Sequence, residues 1–127
     1  MCPDNKIGPI DIYIVSHHGL AQSGSPALVH GISPRVAIMD NGAKKGGEPS
    51  SCDIIKTSPG LEDLWQLHFS DAGGASHNAA AQYIANLSGE LDAGNYLKLS
   101  AWSDGHFEVF NSRTRATKKY AVSSLVK

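Results

Sequence analysis

Scarcity narrows this sequence before any motif does. No apolar run approaches the roughly 20 residues that a membrane-spanning helix needs. The opening residues Met1-Cys2-Pro3-Asp4-Asn5-Lys6 contain no hydrophobic signal-peptide core. Neither a leader nor a membrane anchor is therefore expected within this chain, and its compartment is left open. Cysteine is rare: Cys2 and Cys52 make neither a CxxC pair nor a disulfide framework. An excess of one charge is also missing. Eleven Lys and Arg stand against 12 Asp and Glu, for a net charge of −1, so no broad basic field collects nucleic acid. The densest basic stretch, Arg113, Arg115, Lys118 and Lys119, reads as a solvated strand face. The nucleophile elbow G-x-S-x-G, the P-loop, the dinucleotide fingerprint G-x-G-x-x-G, H-E-x-x-H and H-x-H are all absent.

What remains is globular. The 127 residues are 41% hydrophobic and 18% charged, which suits one domain or part of one. Residues 10–16 are β-branched and aromatic and predict a buried strand that stops at His17-His18-Gly19. Ser25-Pro26 predicts a helix start, Ser as N-cap and Pro at the first position, with the helix ending near Gly31. A second strand is expected over 36–39, closed by Asp40-Asn41-Gly42 and the Gly46-Gly47 pair. Ser50-Ser51 would cap a short helix through Ile54 and Ile55. A third strand is expected over 64–69. Ala80, Tyr83, Ile84 and Leu87 fall at i, i+3, i+4 and i+7 and predict a third helix ended by Gly89. Asp104-Gly105 between two alternating runs, 96–102 and 106–110, predicts a hairpin, and 113–120 a further strand. The order is β-α-β-α-β-α followed by an antiparallel tail: a layered α/β domain with a mixed sheet.

Chemistry concentrates where strands end, because side chains there project into a crevice. His17 and His18 end the first strand, and imidazole is a common metal ligand. On an extended backbone the two rings would point to opposite sides, so one would be the ligand and the other its support. Asp40 and Asn41 end the second strand and could face the same crevice. Lys44, Lys45, Gly46 and Gly47 form a turn able to hold an anion through amides and ammonium charge. His77 and Asn78 would open the third helix, where free N–H groups favour anions. Asn41, Lys45 and Asn78 are thus the candidate substrate-binding residues. His68 and His106 alternate with apolar neighbours and are expected to face solvent; His30 reads as an ordinary late-helix residue.

A resemblance becomes specific at Val15-Ser16-His17-His18-Gly19. A strand running into Ser-His-His-Gly resembles the last histidine motif of metallo-β-lactamase-fold hydrolases, above all their competence-protein-like members. The order that follows agrees: a short helix, Pro34-Arg35-Val36-Ala37-Ile38-Met39, Asn41-Gly42, and a Gly-Gly-Glu-Pro turn at 46–49 in which Glu48 replaces a common His. Stretches 58–68 and 84–87 are similar to a bacterial subgroup, and the likeness runs from Ile10 to about Tyr120.

The resemblance implies the C-terminal portion of an αββα sandwich, with one partial domain over 1–127. It implies a di-zinc parent hydrolysing ester, amide or phosphodiester bonds. The family's H-x-H-x-D-H loop, next His and bridging Asp are missing, and only the last His is present. His18 is the implied metal ligand and His17 the second choice. Zinc binding by this chain alone would then be weak or absent, and catalysis would need the missing N-terminal half. That half would cover a sheet face which, left exposed, favours self-association. The resemblance is compatible with an exported parent. Two other readings stand beside this one: a self-standing, non-catalytic α/β binding module, and a complete enzyme holding one metal on His17, His18 and Asp40.

Overall fold

The computed structural model describes residues 4–87 and 93–124; Cys2 and the expected helix stop at Gly89 lie outside them. The elements are β1 (Ile12–Ile14), α1 (Pro26–Ile32), β2 (Val36–Met39), α2 (Pro49–Lys56), β3 (Asp63–His68), β4 (Ile84–Asn86), β5 (Leu97–Ala101), β6 (Phe107–Asn111) and β7 (Ala116–Tyr120). Strands β1-β2-β3-β4 form a parallel sheet in that order, and β5-β6-β7 form a separate antiparallel sheet. The expected single mixed sheet is therefore two sheets. Among the described residues no helix is long and apolar enough to cross a membrane.

Local chemistry explains much of this. Ser25 accepts from the Leu28 amide at 3.3 Å and Pro26 opens α1. Every residue of β2 is buried, as expected for an inner strand covered on both faces. Because the strands advance in one direction, right-handed crossovers put both helices on one face. There Val29, Ile32, Cys52 and Ile55 pack on Tyr13, Val15, Ala37, Met39 and Leu64. On the other face Val36, Ile38 and Trp65 pack against Phe107, Val109 and Tyr120. The result is three layers: helices, parallel sheet, antiparallel sheet.

The helix expected from Ala80 to Leu87 is not formed. A short 3-10 turn, Ala81–Tyr83, leads into β4, whose Ile84 pairs with Gln66 and Asn86 with His68. Pairing on the open edge of β3 buries all three β4 residues, whereas a helix would have buried only one stripe. Leu87, the last residue of the helical pattern, is 41% exposed.

A polar cluster pins the sheets together. Asp63, buried at the start of β3, accepts from the Tyr120 hydroxyl at 2.5 Å and pairs with Lys118 Nζ at 2.6 Å. Trp65 Nε1 donates to the Tyr120 hydroxyl at 2.9 Å. Burial alone would push the Asp63 carboxyl up, but bonds from Lys118, Tyr120 and Tyr83 outweigh it and hold it below the ordinary value. Arg113, expected to open a strand over 113–120, lies instead in the β6–β7 turn and donates to Ile84 O at 3.0 Å. The basic stretch is thus not a simple solvated face, since Arg113 and Lys118 bind the layers together. Tyr120→Phe removes the hydroxyl that links Trp65 to Asp63; a loss of about 1–2 kcal/mol in urea unfolding is expected.

One flank of the inter-sheet core is uncovered. Ile14 shares a face with Ile12, which packs on that core, yet Ile14 is 54% exposed. Leu99, cross-strand partner of the buried Val109, is 37% exposed. These residues lie on β1 and β5, each an edge strand of its sheet.

Candidate functional site at the strand ends

The parallel strands end together at the segments after Ile14, Met39 and His68. At the first of these the backbone is not extended as expected. His17 (φ 51°, ψ 43°) and His18 (φ 59°, ψ 16°) both occupy the left-handed region within a short 3-10 turn, Ser16–Gly19. For non-glycine residues this conformation costs roughly 1–2 kcal/mol each. It persists because surrounding bonds over-determine it. Gly47 N donates to His18 O at 2.9 Å and Glu48 N to Gly19 O at 3.0 Å. The Glu48 carboxylate accepts from Ala21 N at 2.7 Å, so at this position the chain uses an acid as a loop clip.

The two rings take different partners. His18 Nδ1 lies 3.1 Å from Asp40 O and 3.2 Å from Asp40 Oδ2. Both are acceptors only, so Nδ1 carries a proton, and it is the Nδ1–H tautomer of imidazole that holds its lone pair on Nε2. The His18 side chain is 40% exposed. His17 Nδ1 instead meets Ser23 Oγ at 3.3 Å, and the ring centroids are 6.1 Å apart at 55°.

Behind this pair stands a scaffold built from amides. Asn41 is wholly buried; its Nδ2 donates to His68 O at 2.8 Å and to Gly42 O at 3.1 Å. His68, expected to face solvent, is half-buried, with Nδ1 2.8 Å from Asn41 O. Asn78 is buried too: Oδ1 accepts from Gln66 Nε2 at 3.0 Å and Ser70 N at 2.7 Å, and Nδ2 donates to Ser70 O and Gly74 O. Both asparagines therefore direct their polar atoms into the protein and fix the loops at the strand ends. Asn78 opens no helix; it organises the loop between β3 and β4. Lys45 is exposed on the turn that follows β2. The role of His68 was hidden because strand alternation says nothing of what lies beyond the last paired residue.

Imidazole with Nδ1 anchored and Nε2 free is the form in which His ligates a metal. His18 thus fits as a single ligand. The donor set ends there: among the described residues no group of three or more His, Cys, Asp or Glu side chains is placed to hold a metal ion. Fold and site together define a three-layer α/β domain whose strand ends carry one anchored, partly exposed histidine. The chain matches no protein-family model, no curated protein and no solved structure.

Proposed function

We propose that this chain is the C-terminal portion of a metallo-β-lactamase-type hydrolase domain, in which His18 contributes one metal ligand and a complementary segment contributes the rest. The observation that carries this reading is the anchoring of His18 Nδ1 on Asp40, which leaves Nε2 without a partner among the described residues. The uncovered inner faces of β1 and β5 support a sandwich that another segment completes. Bound zinc would supply hydroxide at neutral pH and polarise the carbonyl or phosphoryl oxygen of an ester, amide or phosphodiester. The chain's own part is to hold His18 in one tautomer through Asp40 and to keep the loop rigid through Gly47 and Glu48. His17, tied to Ser23, is the second choice as ligand.

Metal content and zinc titration of the chain, and of the protein with its complement restored, test this. Weak zinc binding by the chain alone is expected, with loss of a metal on His18→Ala in the completed protein. Asp40→Ala frees Nδ1 of one of its two acceptors; zinc affinity should fall by about 10-fold, the low end for residues that orient a ligand. Tight stoichiometric di-zinc binding by the chain alone, or unchanged metal content in His18→Ala, would count against the proposal.

The second reading is a self-standing, non-catalytic α/β module. It is favoured by one observation: among the described residues no buried side-chain N or O atom lacks a hydrogen-bond partner. It predicts a monodisperse monomer, whereas the first predicts self-association through the open flank, and sizing chromatography separates the two.

A further inference from the structure

We infer that the turn after β2, residues 43–46, is a cradle for the phosphoryl group of a small phosphorylated ligand, next to His18. The backbone of this turn is arranged with one polarity. Three of its four carbonyls bond inside the protein: Ala43 O accepts from Asp71 N at 2.9 Å, Lys45 O from Gly42 N at 2.8 Å, and Gly46 O from Ser70 Oγ at 3.4 Å; Lys44 O accepts from no donor among the described residues. Its amides are unspent. Those of Ala43, Lys44, Lys45 and Gly46 donate to no acceptor among the described residues. A run of unspent N–H groups beside largely spent carbonyls makes a local positive potential that suits an oxyanion.

The side chains add to it. Lys44 and Lys45 are exposed and form no ion pair among the described residues. Of the adjacent acids, Asp40 pairs with His18 and Glu48 with Ala21 N, while Asp71, whose amide bonds Ala43 O, leaves its exposed carboxylate unpaired among the described residues. Position follows from packing. Gly47 N bonds His18 O, and a Cβ on Gly46 would lie 2.0 Å from that oxygen and 2.8 Å from His18 Cβ. The cradle is thus fixed one residue away from the anchored histidine. Two ammonium groups match the charge of a phosphomonoester, between −1.5 and −2 at neutral pH. A long nucleic acid is disfavoured, because Lys118 and Arg113 are committed to Asp63 and Ile84 and no basic track continues the patch.

This assignment deepens the hydrolase reading by naming a substrate class, and its test is independent of metal. The probes are inorganic phosphate, dimethyl phosphate, acetate and a single-stranded oligonucleotide. Each is titrated into chelator-treated, isotope-labelled protein at constant ionic strength, with amide shifts as readout. Saturable shifts confined to residues 43–46 are expected with phosphate, weaker ones with dimethyl phosphate and weakest with acetate. The double variant Lys44→Ala/Lys45→Ala should bind phosphate about 10-fold more weakly, since it removes both ammonium partners of the anion. Unchanged shifts elsewhere show that this surface variant folds. Absence of saturation, equal response to acetate, an unaffected double variant, or far tighter oligonucleotide binding each overturns the assignment. A failure here leaves the zinc result standing, and a failure there leaves this one.

Discussion

Gly46→Ala should cost roughly 3–5 kcal/mol in urea unfolding, among the larger losses a single methyl group can cause. Two effects add. Gly46 has φ +77°, a region where an L side chain costs about 1–2 kcal/mol. The added Cβ would also meet His18 O at 2.0 Å and His18 C at 2.8 Å. Both are backbone atoms, so relief requires moving the histidine turn itself. Gly60→Ala is the control: φ is +79°, but nothing lies within 4 Å of its Cβ position. That variant should lose only about 1–2 kcal/mol. Equal losses in the two variants would show that the Gly46 turn is not seated on His18. The same experiment bears on function, because amide shifts at His18 should move in Gly46→Ala and stay in place in Gly60→Ala.

The second large effect is expected at Asp63. Asp63→Ala removes the acceptor of Tyr120 and the counter-ion of Lys118 from a buried position. Leaving the buried Tyr120 hydroxyl without its ionised acceptor costs about 1.5–3 kcal/mol at neutral pH, and the half-exposed Lys118 adds little because solvent screens it. The pH dependence follows from the directions of the shifts. The Asp63 carboxyl is held below its ordinary value in the folded chain, so its contribution is complete above about pH 3.9. It is lost as pH falls through the lower folded-state value. The Lys118 ammonium is raised, chiefly by its bond to Asp63. Its contribution is complete below about pH 10.4 and disappears as pH rises through the higher folded-state value. This alkaline limb should be the smaller, since the Lys118 side chain is 43% exposed and screened by solvent. Unfolding followed from about pH 2 to 11 should show both limbs in the parent chain and neither in Asp63→Ala. An acid limb that survives the substitution would assign it to other carboxyls.

Elements marked by local chemistry were legible in the sequence. Ser25-Pro26 states a helix start through a side-chain cap and a fixed φ, and α1 begins at Pro26. Asp104-Gly105 states a tight turn, and β5 and β6 pair around it with Leu99 opposite Val109. The unbroken apolar run 36–39 states an inner strand, and β2 is buried throughout. The position of His17-His18 at a strand end was legible for the same reason, because a β-branched run stopped where glycine began.

Other features are settled by partners distant in sequence. Ala80, Tyr83, Ile84 and Leu87 carry a helical spacing, yet an unpaired edge on β3 was available and its backbone bonds made β4. No local signal tells of such an edge. The left-handed backbone at His17 and His18 is held by Gly47 and Glu48, almost 30 residues away. Asn41 and Asn78 looked like groups offered to a ligand, and burial turned their amides inward.

By itself the sequence determined where α1 starts, where the first two strands stop and where the β5–β6 turn falls, since caps, turns and β-branched runs act within a few positions along the chain. Tertiary structure alone decided that the tail forms a second sheet over the first, that β4 is a strand, and that His18 is anchored by Asp40 beneath a turn of unspent amides. Those outcomes depend on which edges, carbonyls and buried volumes are left over once the local elements have met.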